Sequence, residues 1–284
     1  MITINGHVVV PTMFPDGTSQ VWHLPNDILG LNKVIITWYF ESESELMTLL
    51  SLRSLLGNAV YLYLPYFPYA RQDKEVSNDT TFNLSVFVSI LQDFRFTSIE
   101  TVDVHNPQKI VQILHNSRYV RINDPRDLKV NDIPFINKNV TPLHKALYMQ
   151  YNMDYIVYPD EGAMQRYNPE MQGYSNILIG KKLRDPSTGH VALNGWKLIS
   201  DDGSMMKNGD EKQRFLIVDD VADGGATFVE IAKKIRKEFK NPYIMLFVTH
   251  GLFSKGKQVL LDAGINEILT TNTLLRNKEE GIKV

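Results

Sequence analysis

Apolar positions along the chain fall into two kinds of stretch, short runs and helical repeats, and these alternate from end to end. Strand-length runs lie at 34–37, 60–64, 98–104, 155–158, 176–179, 215–218, 243–248 and 267–272. The plainest is Phe215, Leu216, Ile217 and Val218, four apolar residues in a row, as in a parallel strand buried on both faces. Between the runs, apolar residues recur every three or four positions. Leu46, Leu49, Leu50 and Leu56 form one set, behind Ser42 and Glu45, which fit a capping box. Phe228, Ile231, Ala232, Ile235 and Phe239 form another, with Lys233, Lys234, Arg236 and Lys237 between them. Residues 82–94 and 142–151 read as further helices. Alternating strands and helices predict an α/β fold. The alternation occurs in each half, so two related domains are expected, each a mainly parallel sheet flanked by helices, over 1–138 and 139–284. The polar, proline- and asparagine-containing stretch 124–140 is the expected connection. Residues 14–18 read as a turn between two short β-like stretches, and 196–213 as a surface hairpin or loop.

Composition narrows the function. The length of 284 residues suits two domains of about 140, and 43% apolar residues suffice for two cores. A net charge of −2 gives no reason to expect a nucleic-acid or anionic-membrane partner. The absence of cysteine excludes disulfides, thiolate metal sites and cysteine nucleophiles, and fits a reducing cytoplasm, the expected location. The first ten residues lack the basic, apolar and cleavable regions of a signal peptide, and no apolar run reaches the length of a bilayer span.

The chemistry gathers after the strand at 215–218. Asp219 and Asp220 follow where that strand should end; Asp223, Gly224, Gly225 and Ala226 make a small-residue turn; Thr227 opens the next helical segment. Small residues let backbone N–H groups approach an anion, and the helix dipole favours negative charge at that end. Carboxylates there would repel a phosphate but accept hydrogen bonds from vicinal hydroxyls. A phosphate cradle beside a diol acceptor describes a ribose-phosphate site.

That loop resembles the phosphoribosyl-diphosphate loop of the type I phosphoribosyltransferase fold, in the version found in the ribose-phosphate diphosphokinases. Further motifs carry the resemblance in order along nearly the whole chain. Pro65, Tyr66, Phe67, Pro68, Tyr69, Ala70, Arg71, Gln72 and Asp73 match P-Y-x-x-Y-A-R-Q-D. Asp103, Val104, His105 and Asn106 stand against D-L-H-A, and Pro159, Asp160, Glu161, Gly162 and Ala163 against P-D-x-G-G, with Arg166 three residues on. Residues 249–254 follow T-H-G-x-F-S and 271–273 follow T-N-T. Phe14, Asp16 and Gly17 resemble an adenine-holding F-x-D-G-E segment in which Thr18 replaces glutamate.

The resemblance implies transfer of the β,γ-diphosphoryl group of Mg-ATP to the anomeric hydroxyl of a ribose 5-phosphate unit, with release of AMP. It implies ATP contacts from Phe14, Asp16, Arg71, Gln72, Asp73 and His105, and Mg²⁺ held by His105 and Asp160. Residues 180–184 resemble the family's flexible catalytic loop, from which Lys181 and Arg184 would act on the transferring phosphates, Leu183 standing where a second arginine is expected. Asp160, Glu161, Gly162 and Ala163 would form a diphosphate loop, in which Ala163 adds a methyl. Asp219, Asp220, Asp223, Gly224, Gly225, Ala226 and Thr227 would bind the ribose phosphate. A homo-oligomer built from dimers is also implied. The 5′-phosphate loop of the family reads D-T-x-G-T; here Gly224 replaces its first threonine, which removes a hydroxyl donor and is expected to open space. Two acceptors therefore stay open, ribose 5-phosphate and a 5′-extended ribose such as ADP-ribose. A non-catalytic, synthetase-binding homologue and a plain phosphoribosyltransferase are further readings. Retention of Arg71, Gln72, Asp73, His105, Asp160 and Lys181 argues against the former, and the ATP-loop signature against the latter.

Overall fold

The computed structural model describes residues 1–24, 26–57, 59–116, 133–171, 176–184, 191–199, 212–275 and 282–283. The chain divides into two compact units, Met1–Lys138 and Asn139–Val284.

In the first unit, β1 (Ile2–Ile4), β2 (His7–Val9), the small hairpin of β3 (Thr12–Met13) and β4 (Ser19–Gln20), and α1 (Asn26–Leu29) precede the α/β layers. These are β5 (Lys33–Trp38), α2 (Glu45–Leu55), β6 (Ala59–Leu64), α3 (Asn83–Asp93), β7 (Ser98–Val102), α4 (Pro107–Asn116) and β8 (Phe135–Lys138). The sheet order is β2-β1-β5-β6-β7-β8. β5 to β8 run parallel, while β1 is antiparallel to both its neighbours. Leu49 and Leu52 of α2, Leu84, Phe87, Val88 and Leu91 of α3, and Ile110 and Leu114 of α4 bury against Val34, Ile36, Val60, Leu62 and Ile99 of the strands. The capping box does not form: Glu45 is itself the first helical residue, and Ser44 before it makes no side-chain cap. Glu45 Oε2 instead accepts from Trp38 Nε1 at 2.8 Å and from the Glu41 N–H at 3.0 Å, pinning the helix to the end of β5. The expected connection 124–140 also needs correction. Its residues 135–138 are a sheet strand, because each residue of β8 has a parallel partner in β7; residues 117–132 lie outside the described residues.

The second unit contains α5 (Thr141–Gln150), β9 (Tyr155–Tyr158), α6 (Glu161–Tyr167), a 3-10 turn (Asn168–Glu170), β10 (Ile177–Arg184), β11 (Val191–Ile199), β12 (Arg214–Ala222), α7 (Ala226–Glu238), β13 (Tyr243–Gly251), α8 (Gln258–Asp262), β14 (Glu267–Thr270) and β15 (Ile282–Lys283). The order is β11-β10-β9-β12-β13-β14-β15, parallel throughout except for the β10–β11 pair. The apolar stripe read from the sequence is the buried face of α7: Phe228, Ile231, Ala232 and Ile235 are each at most 3% exposed. Full burial stabilises by about 1.5–3 kcal/mol for each large side chain, an upper estimate against an extended chain. Tyr155 stacks on Phe215 at 4.8 Å, and Phe239 closes edge-on over Phe215 at 4.7 Å. The segment 180–184, expected as a loop, and 196–199, expected within a hairpin or loop, are strands of one hairpin. Lys181 and its neighbours to Arg184 continue β10, and 196–199 belong to β11, because the two strands pair antiparallel as one long hairpin with a bulge between Lys181 and Lys182. Residues 200–211 lie outside the described residues.

Candidate functional site

β12 runs past the apolar stretch through Asp219 and Asp220 to Ala222, because β13 continues beside it, pairing Val248 with Asp219 and Gly251 with Ala222. The aspartates therefore sit in the last turns of the strand and not after it. The chain then turns at Gly225, whose φ of +77° is left-handed. A Cβ there would lie 2.9 Å from Leu260 Cδ2, so both conformation and packing require glycine. Helix α7 starts at Ala226 without a side-chain cap, leaving its first-turn N–H groups facing the turn.

Asp220 is 4% exposed and ion-pairs through Oδ2 with Arg166 Nη1 at 2.9 Å. Asp219 Oδ1 accepts from the Asp220 N–H at 2.9 Å. Burial pushes the Asp219 carboxyl well above the usual carboxylate range, with the Asp220 charge and then Asp160 adding to the shift. Asp160 thus belongs to the same electrostatic cluster, as expected where β9 and β12 are parallel neighbours and both end at this edge. It caps α6, accepting from the Ala163 N–H at 3.0 Å. That amide is already engaged, and Ala163 is buried with its methyl turned inward, so the extra methyl does not stand in the way of a ligand. A Cβ on Gly162 would come within 3.2 Å of Asp160 Oδ1. Glu161 is exposed and pairs with Lys197 at 3.0 Å. Lys181 is exposed, two residues beyond the Ile179–Tyr158 pair, on the strand edge from which Asp160 follows. Arg184 ends β10.

On the other side of the turn, Asp223 Oδ1 accepts from Ser254 Oγ at 2.6 Å. Gly224 does not face open space, contrary to expectation: a Cβ there would lie 3.3 Å from Cδ and Cε of Lys255. Ala226 is exposed and Thr227 half-buried. The two threonine motifs behind this edge bind each other. Thr271 Oγ1 and Thr273 Oγ1 donate to the Thr249 carbonyl at 2.7 and 3.0 Å, and His250 Nδ1 lies 2.8 Å from Thr273 Oγ1. They brace the strand ends.

In the first unit, two loops follow neighbouring strands, β6 and β7. Phe67 and Ala70 are buried, and Phe67 packs edge-on against Phe87 at 5.4 Å and Phe135 at 5.9 Å. Tyr69 takes a φ of +62° and donates its hydroxyl to Glu43 Oε1 at 2.8 Å; burial and that carboxylate push its phenol up to about 12. On this aromatic floor Arg71 and Gln72 are exposed and Asp73 half-buried. The second loop carries buried Asp103 at φ +42° and half-buried His105. Asn106 joins the two: its Nδ2 donates to Asp73 Oδ2 at 2.7 Å, while its Oδ1 accepts from the Lys109 N–H at 3.0 Å at the start of α4. The sequence reading missed Asn106, Lys255 and the ion pair of Arg166 with Asp220. The departure of Asn106 from D-L-H-A was the available signal for the first. Phe14 and Asp16 lie on the β3–β4 hairpin, where Asp16 Oδ1 accepts from the Thr18 N–H at 3.0 Å and hydroxyl at 2.7 Å. These bonds hold the Asp16 carboxyl below its ordinary range.

No protein-family model matches the chain. It is similar over nearly its whole length to curated ribose-phosphate pyrophosphokinases. It is 25% identical over 272 residues to that of Thermoplasma volcanium, covering 92% of this chain and 82% of the relative. It is 25% identical to that of Sulfolobus acidocaldarius over 92% and 83%, and 26% identical to that of Mycoplasmopsis pulmonis over 94% and 77%. The fold is that of the phosphoribosylpyrophosphate synthetase from Mycobacterium smegmatis, whose crystal structure superposes with a TM-score of 0.66 at 18% identity, over 98% of this chain and 85% of that one.

Proposed function

We propose that the protein transfers the β,γ-diphosphoryl group of Mg-ATP to the anomeric hydroxyl of a ribose carrying a 5′-phosphoryl group, as a diphosphotransferase of the ribose-phosphate pyrophosphokinase kind. The observation that carries this is the β12–α7 turn. Paired aspartates and an uncapped helix start lie a few residues apart at one strand edge, which matches the two ends of a ribose phosphate. Similarity over 92% of the chain supports the same reading.

In this reaction the anomeric oxygen bonds to the β-phosphorus of ATP. The bond from that phosphorus to the oxygen bridging it to the α-phosphorus breaks, AMP leaves with the bridging oxygen, and the hydroxyl proton is released. The protein's work is positioning and charge neutralisation. Arg71 and Gln72 bind ATP phosphates, Asp73 completes the ATP loop, and Phe14 with Asp16 binds the adenine. Asp219 and Asp220 accept from the ribose hydroxyls, with Arg166 fixing the Asp220 carboxylate. Asp223, Gly224, Gly225, Ala226 and Thr227 surround the 5′-phosphoryl group. Lys181 and Arg184 act on the transferring group, and Asp160 with its following turn binds the diphosphate. His105 and Asp160 are the proposed Mg²⁺ ligands; the ion neutralises phosphate charge when bound. The dimer-based assembly implied by the resemblance and the cytoplasmic location expected from the composition belong to the same proposal.

The replacement of threonine by Gly224 favours a second reading, in which the acceptor is ADP-ribose or another 5′-extended ribose. Incubation with Mg-ATP and either ribose 5-phosphate, ADP-ribose or ribose, following AMP release and product mass, tests both. AMP release with a product heavier than its acceptor by one diphosphoryl group is expected with at least one phosphorylated acceptor and not with ribose. No AMP release with any of them would leave the non-catalytic homologue as the better reading.

A further inference from the structure

Lys255 borders the space beside Gly224. The Lys255 stem runs past Gly224 with Cγ, Cδ and Cε at 3.5, 3.3 and 3.3 Å from the position a Cβ would take. Its ammonium, one bond past Cε, is at most about 5 Å from that position. The loop bearing Lys255 is fastened to the turn: the N–H groups of Leu252 and Phe253 donate to the Ala222 carbonyl at 2.9 and 3.1 Å, and Ser254 Oγ donates to Asp223 Oδ1 at 2.6 Å. Lys255 is exposed, and among the described residues no carboxylate pairs with it. A long cationic side chain is thereby held across the turn that precedes the uncapped start of α7, in the space where a side chain at 224 would stand.

We propose that Lys255 is a phosphate-binding, specificity-determining residue of this turn, taking over from a hydroxyl at position 224 as donor to the phosphoryl group on the ribose 5′ carbon. The inference rests on the ribose-phosphate reading of the turn. A hydroxyl donates one bond at a fixed place close to the helix start. An ammonium on a four-carbon stem is a mobile point charge with three donors, able to follow a phosphoryl group further from the helix. The recognised chemistry is a phosphoryl anion, whether a 5′-monoester as in ribose 5-phosphate or the 5′-diphosphate of ADP-ribose. A side chain at 224 would press on the Lys255 stem at 3.3 Å and make it shift, so the two positions are expected to be coupled.

Titration calorimetry at fixed ionic strength tests this on the full chain, with ribose 5-phosphate and ADP-ribose as separate probes. Lys255→Met keeps the stem and removes the charge; about a tenfold to hundredfold loss of affinity is expected for the better-bound probe, with recovery in Lys255→Arg. The probe that loses more identifies the anion that Lys255 serves. Gly224→Thr alone is expected to weaken binding by crowding the lysine, whereas Gly224→Thr with Lys255→Gly is expected to regain most of the loss. Affinities within twofold of wild type in Lys255→Met, for both probes, would overturn the inference, as would strictly additive effects at 224 and 255. Failure of both probes to bind the wild-type protein would overturn it too. AMP release by the wild-type protein, measured separately, reports on the diphosphotransferase reading: turnover with an unaffected Lys255→Met variant sinks the lysine's role alone.

Discussion

The two units solve one problem, placing polar groups at the carboxyl edge of a parallel sheet, in opposite ways. The first offers cationic and amide side chains, Arg71 and Gln72, exposed above an aromatic floor, and holds its two loops together with a bond from the Asn106 amide to the Asp73 carboxylate. The second offers carboxylates and backbone N–H groups, with Asp220 nearly buried against Arg166 and Gly225 locked by Leu260. An exposed cation attracts a polyanion without desolvating in advance. A buried carboxylate pair carries its desolvation cost permanently and is suited to a neutral hydroxylated ligand. In the proposed function the first edge serves ATP and the second the ribose acceptor.

The largest test of that division is Arg71→Ala. Loss of a charge-assisted contact to phosphate weakens binding by about 1.5–3 kcal/mol. KM for ATP is expected to rise about tenfold to a hundredfold while KM for the acceptor stays within twofold, and Arg71→Lys is expected to recover only part of the loss. Steady-state AMP release under varied ATP and varied acceptor measures both. Equal changes in the two constants would show that the edges are not divided in this way.

The cores differ as well. In the first, Trp38 is buried with its indole N–H satisfied by Glu45. In the second, His144 of α5 is 1% exposed between Tyr167 and Phe247, at 4.8 and 5.0 Å, and neither ring nitrogen has a hydrogen-bond partner among the described residues. Burial pushes its imidazole down to about 3 from 6.5. The unfolded chain therefore binds a proton that the folded chain refuses between those values, and stability is lost as pH falls through 6.5. At pH 5 the loss is about 2 kcal/mol, since each pH unit is worth about 1.4 kcal/mol. His144→Phe removes the titration, so its stability advantage over wild type should grow by about that amount between pH 7 and pH 5 in urea melts. A constant difference across that range would mean that the ring is hydrated or bonded in solution.

Much of this was legible in the sequence wherever one residue type has one physical use. The apolar run Phe215 to Val218, the helical stripe from Phe228 to Ile235 and the small-residue turn at Gly225 each specify local structure through burial or backbone freedom, and each lies where the pattern placed it. What stayed hidden depends on neighbours distant in sequence. Glu45 has the spacing of a capping box, but Trp38 and Glu41 claim its carboxylate. The polar residues around Lys138 looked like a linker because alternate positions of β8 are exposed, and only the pairing with β7 makes them a strand. Basic residues from Lys181 onward looked like a loop because antiparallel pairing with β11, beyond the apolar stretch, cannot be read from β10 alone. Gly224 looked like vacant space because the Lys255 that fills it lies 31 positions on.

The smallest expected effect concerns the bond that joins the first unit's loops, and it asks whether that edge is as pre-arranged as the second. Asn106 has two tasks. Its carbonyl oxygen accepts from the Lys109 N–H at the start of α4, and its amide donates to Asp73 at 2.7 Å. Serine is an equally good helix N-cap but too short to reach Asp73, so Asn106→Ser separates the two. Folding stability should stay within about 0.5 kcal/mol of wild type, because the cap survives. The lost neutral–charged bond frees the loop carrying Arg71 and Gln72, and about 1 kcal/mol of lost pre-organisation corresponds to roughly a fivefold rise in KM for ATP. KM for the acceptor should not move, since Asp219 and Asp220 belong to the other sheet. Asn106→Ala should show the same rise together with a measurable loss of stability from the missing cap. If Asn106→Ser leaves KM for ATP unchanged, the aromatic floor beneath Phe67 and Tyr69 suffices to hold the loop, and the bond to Asp73 is incidental.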